Sequence, residues 1–323
     1  MTKYGELVSV SIGDIINNRG ESYLEYKRAL TPRYIIVWRD IAMIYLFGMV
    51  FAYVLIFLQS NHPTLFLMTI PLGALLLGYA MASLQLFFHE ASHYTIASNR
   101  YLNDTLANLL IGSWIAQDIA AYRKVHLEHH RYLGQTNDPE HSYFDPLDWN
   151  YFFESLTGIK VLKVLLSRRQ HISQHKKTQS NHRLSAIAGK VLGLSLHVGI
   201  VIGSFIIGNW QFALTWIIAI GSVFPLCSAL RQLLEHRSND AKAQVDYSQT
   251  AHGAVNRIFD DGIIASTFGA AGFNRHIFHH RDASVSYTRL KDVQEFLLDS
   301  PWGDEIRSAQ TTYFSTFREL YSR

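Results

Sequence analysis

Four long stretches of the chain are almost free of charge, and they constrain the fold more than any other feature of the sequence. They are residues 41–58, 65–88, 186–207 and 210–230, and Lys190 is the one Lys, Arg, Asp or Glu among them. A helix of about 20 apolar residues crosses a hydrocarbon layer about 30 Å thick. We therefore predict an all-α integral membrane protein with four transmembrane helices in two hairpins.

The placement of Lys and Arg predicts the orientation of these helices. Residues 1–40 contain 6 of them, residues 89–185 contain 11 and residues 231–323 contain 11, whereas residues 59–64 and 208–209 contain none. Short cytoplasmic loops of membrane proteins carry such an excess of basic residues. We expect both termini and the central loop in the cytoplasm of a bacterial inner membrane or an ER-type membrane. Because no apolar run precedes residue 41, the first span should itself be the membrane anchor.

These observations divide the chain into five segments. Two shorter stretches are predicted to be interfacial helices: the apolar residues 106–116, which are too few to span, and the basic, amphipathic residues 160–183. The second stretch would either be a solvated charged face or bind anionic lipids or an acidic protein. The segments are a cytoplasmic N-terminal segment (1–40), a first transmembrane hairpin (41–88), a cytoplasmic and interfacial region (89–185), a second transmembrane hairpin (186–230) and a cytoplasmic C-terminal region (231–323).

The composition excludes several other classes of site and partner. Cys227 is the single cysteine, so a thiolate zinc cage, an iron–sulfur cluster and an internal disulfide are all excluded. The net charge is only +3 with a pI near 8.8, which does not indicate a nucleic-acid partner. Any metal must therefore be held by other ligands, and the 16 histidines are the obvious candidates.

Nine of the 16 histidines lie in four short stretches, all on the predicted cytoplasmic side. Three of these stretches contain two or three histidines, and spacings of three and four residues place their imidazoles on one helical face. The first stretch follows the second span and the single histidine follows the fourth. In chain order the stretches contain His89 and His93; His126, His129 and His130; His236; and His276, His279 and His280.

So many clustered imidazoles indicate metal ligands. Burying them side by side without coordination would be costly, because unpaired buried polar groups cost several kcal/mol each. Imidazole suits zinc, copper, iron and nickel, and one zinc ion needs only about four ligands, so nine ligands indicate two ions. His236 is the least certain member by pattern alone, since a helix-end histidine in water is its simple alternative.

The order HxxxH, HxxHH, HxxHH across two membrane hairpins resembles the integral-membrane fatty acid desaturase and hydroxylase superfamily, whose members carry three histidine boxes. Tyr122-Arg123 before the second box, and Asp138-Pro139-Glu140 after it, are similar to the sphingolipid and bacterial acyl-lipid branches. The R-x-x-x-E-H pattern that ends at His236 resembles a further histidine segment of these proteins. After the third box, relatives often read Leu-Phe-Pro-Ser-Val-Pro, whereas residues 281–286 read Arg-Asp-Ala-Ser-Val-Ser.

The resemblance implies a membrane-bound oxidoreductase of lipid metabolism with two iron ions, O2 as co-substrate and a lipid acyl chain as substrate. A fatty acid desaturase of the acyl-lipid type fits it best, and a lipid or carotenoid hydroxylase of the same superfamily is the alternative. Electrons would come from an external donor of the ferredoxin or cytochrome b5 type with its reductase. The metal centre itself would do the chemistry, with no further catalytic side chain or organic cofactor.

A few polar side chains are candidates for orienting the ligands, because a metal-bound imidazole normally donates its other N–H to an acceptor. The candidate carboxylates are Asp104, Asp138 and Glu235. Gln232, one turn before His236, is a candidate for holding a metal-bound water.

Two other classes of function compete with this interpretation. His89-Glu90-x-x-His93 matches the zinc motif of metalloproteases, with Glu90 as general base and Asp261 as a candidate third ligand. An intramembrane protease, however, would leave six clustered histidines unused. A metal transporter would place carboxylate ligands at mid-membrane, and the spans contain none.

Overall fold

The computed structural model describes residues 10–174, 183–238, 240–252 and 257–322. Over these ranges the chain is mostly helical, which confirms the all-α prediction. The helices are α1 (Tyr23–Lys27), α2 (Tyr34–Asn61), α3 (Phe66–Ser92), α4 (Arg100–Leu106), α5 (Ser113–Ile115), α6 (Ile119–Tyr132), α7 (Trp149–Leu156), α8 (Ile159–Gln174), α9 (Arg183–Ile206), α10 (Trp210–Ile218), α11 (Phe224–His236), α12 (Ile263–Phe268), α13 (His276–Arg281), α14 (Leu290–Leu298), α15 (Gly303–Ser308) and α16 (Tyr313–Tyr321).

Four helical segments are long and apolar enough to cross a membrane, as predicted. They are Tyr34–Asn61, Pro63–Ser92, Leu184–Ile206 and Trp210–His236, and each overlaps one of the four apolar runs of the sequence. The second and fourth segments continue several residues past their apolar runs, so that His89 and His236 belong to the same helices as the spans. The pairing into hairpins and the five-segment division stay predictions.

The described residues form two compact units. The membrane unit comprises Val37–His126 and Trp149–Leu230, and the terminal unit comprises Met1–Ile36, Leu127–Asp148 and Arg231–Arg323. Each is described by its own contacts below.

Glycines allow the helices of the membrane unit to approach closely. A Cβ atom at Gly78 of α3 would lie 2.6 Å from the Cβ of Val223, and one at Gly193 of α9 would lie 1.9 Å from the carbonyl oxygen of Ser113. Small residues at such crossings let two backbones pack without a side chain between them. In these contacts α3 packs against the π-helical turn Ala219–Val223, and α9 packs against α5.

The short apolar stretch predicted at residues 106–116 is helical and packs inside the membrane unit. It consists of α4, a π-helical turn at Ala107–Gly112 and α5, and it ends at Ala116 with a left-handed φ of 55°. The turn packs against both α3 and α9. The second predicted interfacial helix includes α8, and its residues 175–182 lie outside the described ranges. The location of both at a membrane surface stays a prediction.

His197, inside the third candidate span, is a packed polar residue with both ring nitrogens engaged. The indole Nε1–H of Trp216 donates to His197 Nδ1 at 3.2 Å. The proton of the ring is therefore on Nε2, which donates to the carbonyl oxygen of Trp114 at 3.2 Å. The ring thus satisfies two buried polar groups of the membrane unit.

The terminal unit has its own apolar core, which joins the N-terminal segment to the third histidine box. Tyr23 of α1 packs edge-on against Phe296 of α14, and the same core includes Ile277 and Phe278 of α13. Helix α1 begins with a capping box in which Ser22 and Glu25 bind each other's backbone N–H groups.

Asp282, two residues after the third histidine box, is held by α1. The hydroxyl of Tyr23 donates to Asp282 Oδ2 at 3.1 Å, and Lys27 Nζ lies 2.6 Å from the same oxygen. These two contacts form a polar anchor that ties the third box to the N-terminal segment.

A two-stranded parallel sheet accounts for the strands in the described ranges. Strand β1 (Ile258–Phe259) pairs with β2 (Gln310–Thr311) in the register Ile258 to Gln310 and Phe259 to Thr311. The sheet joins the segment that contains α16 to the rest of the terminal unit.

Replacing His197 with Leu should destabilise the protein without changing its metal content. The variant leaves the Trp216 N–H and the Trp114 carbonyl without the ring, which costs about 1–3 kcal/mol per unsatisfied buried group. We expect a lower midpoint of thermal unfolding in detergent and wild-type iron. His62→Ala, at an exposed histidine, is the control. Loss of iron in His197→Leu would instead identify the residue as part of the metal centre.

Candidate metal centre

Three predicted ligands lie together in the membrane unit. His89 is in the last turn of α3, His93 caps that helix, and His126 is on α6. The Nε2 atoms of His93 and His126 are 3.1 Å apart, and the ring centroids of His89 and His126 are 4.3 Å apart. The first box and the first histidine of the second box therefore converge.

A buried arginine holds the end of α3 at this cluster. Arg123, one turn before His126, donates from Nε to the carbonyl oxygen of Ser92 at 2.8 Å and from Nη2 to that of Ala91 at 3.1 Å. Its Nη1 donates to Asp104 Oδ2 at 3.0 Å. The carbonyls at a helix C-terminus attract a cation, so this ion pair fixes the helix end that carries the first box. Asp104, a candidate orienting carboxylate, thus forms an ion pair with Arg123, and its influence on the ligands stays a prediction.

The remaining six predicted ligands lie in the terminal unit, where four of them surround one point. His236 Nε2 lies 3.3 Å from the Nε2 of His129 and 3.2 Å from the Nε2 of both His276 and His280. The Nε2 atoms of His276 and His280 are 3.0 Å apart. His236, the ligand that sequence pattern supported least, is at the centre of this group.

The last two histidines form a pair beside that group. His130 Nε2 and His279 Nε2 are 3.2 Å apart. The ring of His280 stacks on that of His130 with a centroid separation of 4.3 Å. The second and third boxes therefore contact each other at two places.

Outer hydrogen bonds fix the tautomers of two of these rings. His129 Nδ1 lies 2.9 Å from both carboxylate oxygens of Asp138, and His236 Nδ1 lies 3.0 Å from the carbonyl oxygen of Gln232. An ionised carboxylate and a carbonyl can only accept a hydrogen bond, so both Nδ1 atoms carry the proton. When both rings are neutral, the Nε2 atoms of His129 and His236 therefore present lone pairs to each other.

This arrangement fits a metal ion. The Nε2 atoms of the two neutral rings are 3.3 Å apart, and either a proton or a metal ion between them would remove the repulsion of their lone pairs. Nitrogen ligands at about 2.1 Å from one ion lie roughly 3.0–3.4 Å from each other in octahedral or tetrahedral geometry, which matches the separations observed here. The buried Nδ1 of His280 has no hydrogen-bond partner in the described residues, so its Nε2 alone contacts the group.

Burial favours the neutral form of two of these rings, His93 and His280. Desolvation, assisted by the charge of Arg123, lowers the pKa of His93 to about 3. Desolvation and then the neighbouring His130 lower the pKa of His280 well below its ordinary value. Neutral imidazoles keep the lone pairs that bind a metal.

Asp138, one of the candidate orienting carboxylates, lies against His129, and its influence on metal binding stays a prediction. Burial alone would raise the pKa of Asp138, but His129 and the hydroxyl of Tyr143 lower it overall, so the group stays a carboxylate. Tyr143 donates to Asp138 Oδ2 at 2.6 Å, and the backbone N–H of Glu140 donates to Oδ1 at 2.8 Å. Each contact holds the carboxylate against the imidazole.

Tyr143 is a residue of the site that sequence reasoning missed. Its ring lies 5.3 Å from that of His236, and burial beside Asp138 raises its own pKa well above 10.0. The chain contains 17 tyrosines, and no spacing rule distinguishes this one. Its role depends on the fold, which brings it to Asp138 and His236 together.

Gln232 and Glu235 also border the group. The side chain of Gln232 accepts from Ser142 Oγ at 2.8 Å and donates to the carbonyl oxygen of Glu140 at 2.9 Å. Its backbone carbonyl, not its amide, contacts an imidazole. The hypothesis of a water held by the Gln232 amide stays a prediction. A carboxylate oxygen of Glu235 and ring nitrogens of His236 and His276 lie within 4.8 Å of one another.

The residues invoked for a metalloprotease have other partners. Asp261 forms an ion pair with Arg275 and lies 3.4 Å from the amide nitrogen of Asn274. Glu90 Oε2 accepts a hydrogen bond from Thr95 Oγ1 at 2.9 Å. Glu90 Oε1 lies 3.6 Å from His89 Nδ1.

Comparison with known proteins agrees with this site. The family model described as fatty acid desaturase matches residues 65–302, which include all nine clustered histidines. The chain therefore belongs to the fatty acid desaturase family. Its clustered histidines are compatible with the di-iron site that this family implies. The curated proteins searched include no match to the chain.

Replacing Asp138 with Asn should weaken metal binding while preserving the shape of the site. The carboxylate of Asp138 orients the ring of His129 and raises the basicity of that ring, and the variant removes its charge. Loss of such a partner costs about 10–100-fold in metal affinity. Iron retained after dialysis against graded concentrations of a chelator measures the effect. Asp246→Asn, in an exposed loop, is the control. Equal retention in both variants would show that Asp138 has no influence on the metal.

Proposed function

We propose that the protein is a membrane-bound di-iron oxidoreductase that uses O2 to desaturate a fatty acyl chain, with the acyl group carried by a lipid. The observation that carries the proposal is the convergence of histidine Nε2 atoms. The Nδ1 atoms of two of these rings, His129 and His236, donate to Asp138 and to the Gln232 carbonyl. Membership of the fatty acid desaturase family supports the redox class.

The proposed ligand set consists of nine imidazoles that share two iron ions. Two groups of it are compact in their own units: one of His89, His93 and His126, and one of His129, His236, His276 and His280. His130 and His279 complete it. Bound iron would supply the activation of O2 and the oxidation of an unactivated C–H bond.

The chain's own residues prepare the site for this chemistry. Asp138 and the Gln232 carbonyl hold the protons of His129 and His236 on Nδ1, so that the lone pairs face the metal position. Arg123 and Asp104 fix the helix end that carries the first box. Burial excludes water from most of the rings, which protects a reactive centre from side reactions.

The proposed reaction draws its electrons from a separate carrier of the ferredoxin or cytochrome b5 type. Basic residues of the region around α8 provide the charge that would attract an acidic carrier or anionic lipids. The active site and both termini are proposed to face the cytoplasm, on the strength of the Lys and Arg distribution.

Iron content and product analysis test the function. Protein expressed with excess iron and a reductase system should contain two irons per chain and yield an unsaturated lipid by mass spectrometry. His276→Ala should lose both iron and product, whereas His62→Ala should retain both. A hydroxylated product would assign the alternative reaction of the same superfamily, and one zinc per chain without iron would refute the proposal.

Glu90 separates the oxidoreductase from a protease. A metalloprotease requires this residue as its general base, but a di-iron enzyme does not. We therefore expect Glu90→Gln to keep appreciable oxidase activity and iron. Complete loss of turnover with metal still bound would favour the hydrolytic mechanism.

The proposed orientation is testable with single cysteines in a Cys227→Ser background. An impermeant thiol reagent applied to intact cells should label Thr64→Cys, between the first two spans, and should not label Ser308→Cys, in the terminal unit. Both positions are exposed, so accessibility within the protein does not bias the comparison. Labelling of Ser308→Cys in intact cells would reverse the orientation.

A further inference from the structure

Glu235 is a buried carboxylate beside the metal ligands of the terminal unit, and it is held by a residue far along the chain. It is 1% exposed, and one of its oxygens lies within 4.8 Å of ring nitrogens of His236 and His276. The hydroxyl of Tyr313 donates to Glu235 Oε1 at 3.2 Å. Tyr313 lies beyond residues 65–302, the part that matches the family model.

The position of Tyr313 is fixed by the secondary structure around it. Strand β2 pairs with β1 immediately before Tyr313, and Thr312 caps α16 by accepting from the backbone N–H of Ser315. The ring of Tyr313 stacks on Phe259 of β1, with centroids 3.7 Å apart and an interplanar angle of 10°. The hydroxyl is thereby directed at Glu235 by a rigid ring.

The surrounding residues leave little freedom to either partner. A Cβ atom at Gly269 would lie 2.6 Å from the Tyr313 hydroxyl, so only glycine leaves room for it there. Phe273 stacks on His276 with ring centroids 4.5 Å apart, and this contact holds the imidazole in place. Arg231, one turn before Glu235 and also buried, supplies a charge of opposite sign. Such a packed cluster fixes the carboxylate in one orientation.

We infer that Tyr313 is a positioning residue of the metal centre, which acts by holding the carboxylate of Glu235 beside His236 and His276. There the carboxylate would lie next to a metal held by these rings and would attract it, in a buried site that screens the attraction little. The inference rests on the proposed function, because it assumes a metal at these histidines. The inference assigns a role in metal binding to strand β2 and helix α16, which hold Tyr313 in place.

The rate at which purified protein loses iron to a coloured ferrous chelator tests the inference. Tyr313→Phe keeps the stacked ring and removes only the hydroxyl, and Glu235→Gln removes the charge. Each should accelerate iron loss about tenfold, the lower end of the effect of such partners. Because Tyr313 acts through Glu235, the double variant should lose iron no faster than Glu235→Gln alone.

Tyr26→Phe is a matched control. Tyr26 is also stacked on a phenylalanine, Phe296, and its hydroxyl donates to a backbone oxygen, that of Asp292. Both tyrosine variants should lower the unfolding temperature of metal-free protein by a similar small amount. Only Tyr313→Phe should change iron loss.

Four outcomes would overturn the inference. The first is a Tyr313→Phe variant that retains iron like wild type. The second is a Tyr26→Phe variant that loses iron equally fast, and the third is an undiminished effect of Tyr313→Phe in the Glu235→Gln background. If Glu235→Gln does not fold, the comparison of the two tyrosine variants decides alone. The fourth outcome is wild-type protein that contains no iron, which would overturn this inference together with the proposed function. The first three outcomes leave the proposed function intact, so the two failures are distinguishable.

Discussion

The candidate site of the terminal unit depends on the convergence of four imidazole Nε2 atoms within 3.3 Å of His236 or of its neighbours. Asp138 and the Gln232 carbonyl each keep a proton on the outer nitrogen of a ring, which leaves the inner nitrogens of His129 and His236 facing each other as bases. Such a contact between neutral rings is unfavourable in a buried place unless a proton or a metal ion lies between them. The apolar core and the buried ion pairs hold the rings in an arrangement that is compatible with a bound metal.

Binding of a metal to these rings would therefore also stabilise the folded protein. A ligand that binds only the folded state stabilises it by an amount that grows with its affinity. The hydrogen bond from Tyr143 to Asp138 is part of the same coupling, because it holds an acceptor that in turn holds an imidazole. Such contacts contribute to metal affinity without touching the metal.

Sequence reasoning predicted what depends on local pattern. The four spans followed from apolar length, and the grouped histidines followed from spacings of three and four residues. The structure brings His129, His236, His276 and His280 together, although the assignment of each as a ligand is still a proposal. The pattern also predicted Asp138 as an acceptor, because it follows the second box closely.

The parts that sequence reasoning could not reach depend on contacts between distant residues. Tyr143 and Tyr313 belong to no motif, and their positions depend on the packing of the terminal unit. Gln232 contacts His236 through a backbone carbonyl, which no side-chain pattern encodes. Asp282 also shows the limit, since its partners Tyr23 and Lys27 lie about 250 residues earlier. That contact has a consequence for biosynthesis. Tyr23 and Asp282 are 259 residues apart, and synthesis of that length takes about 13–52 s at about 5–20 residues per second, so α1 remains without this partner for that time. If the histidines of the third box bind iron as proposed, the ligand set is completed only after Asp282 has docked onto α1.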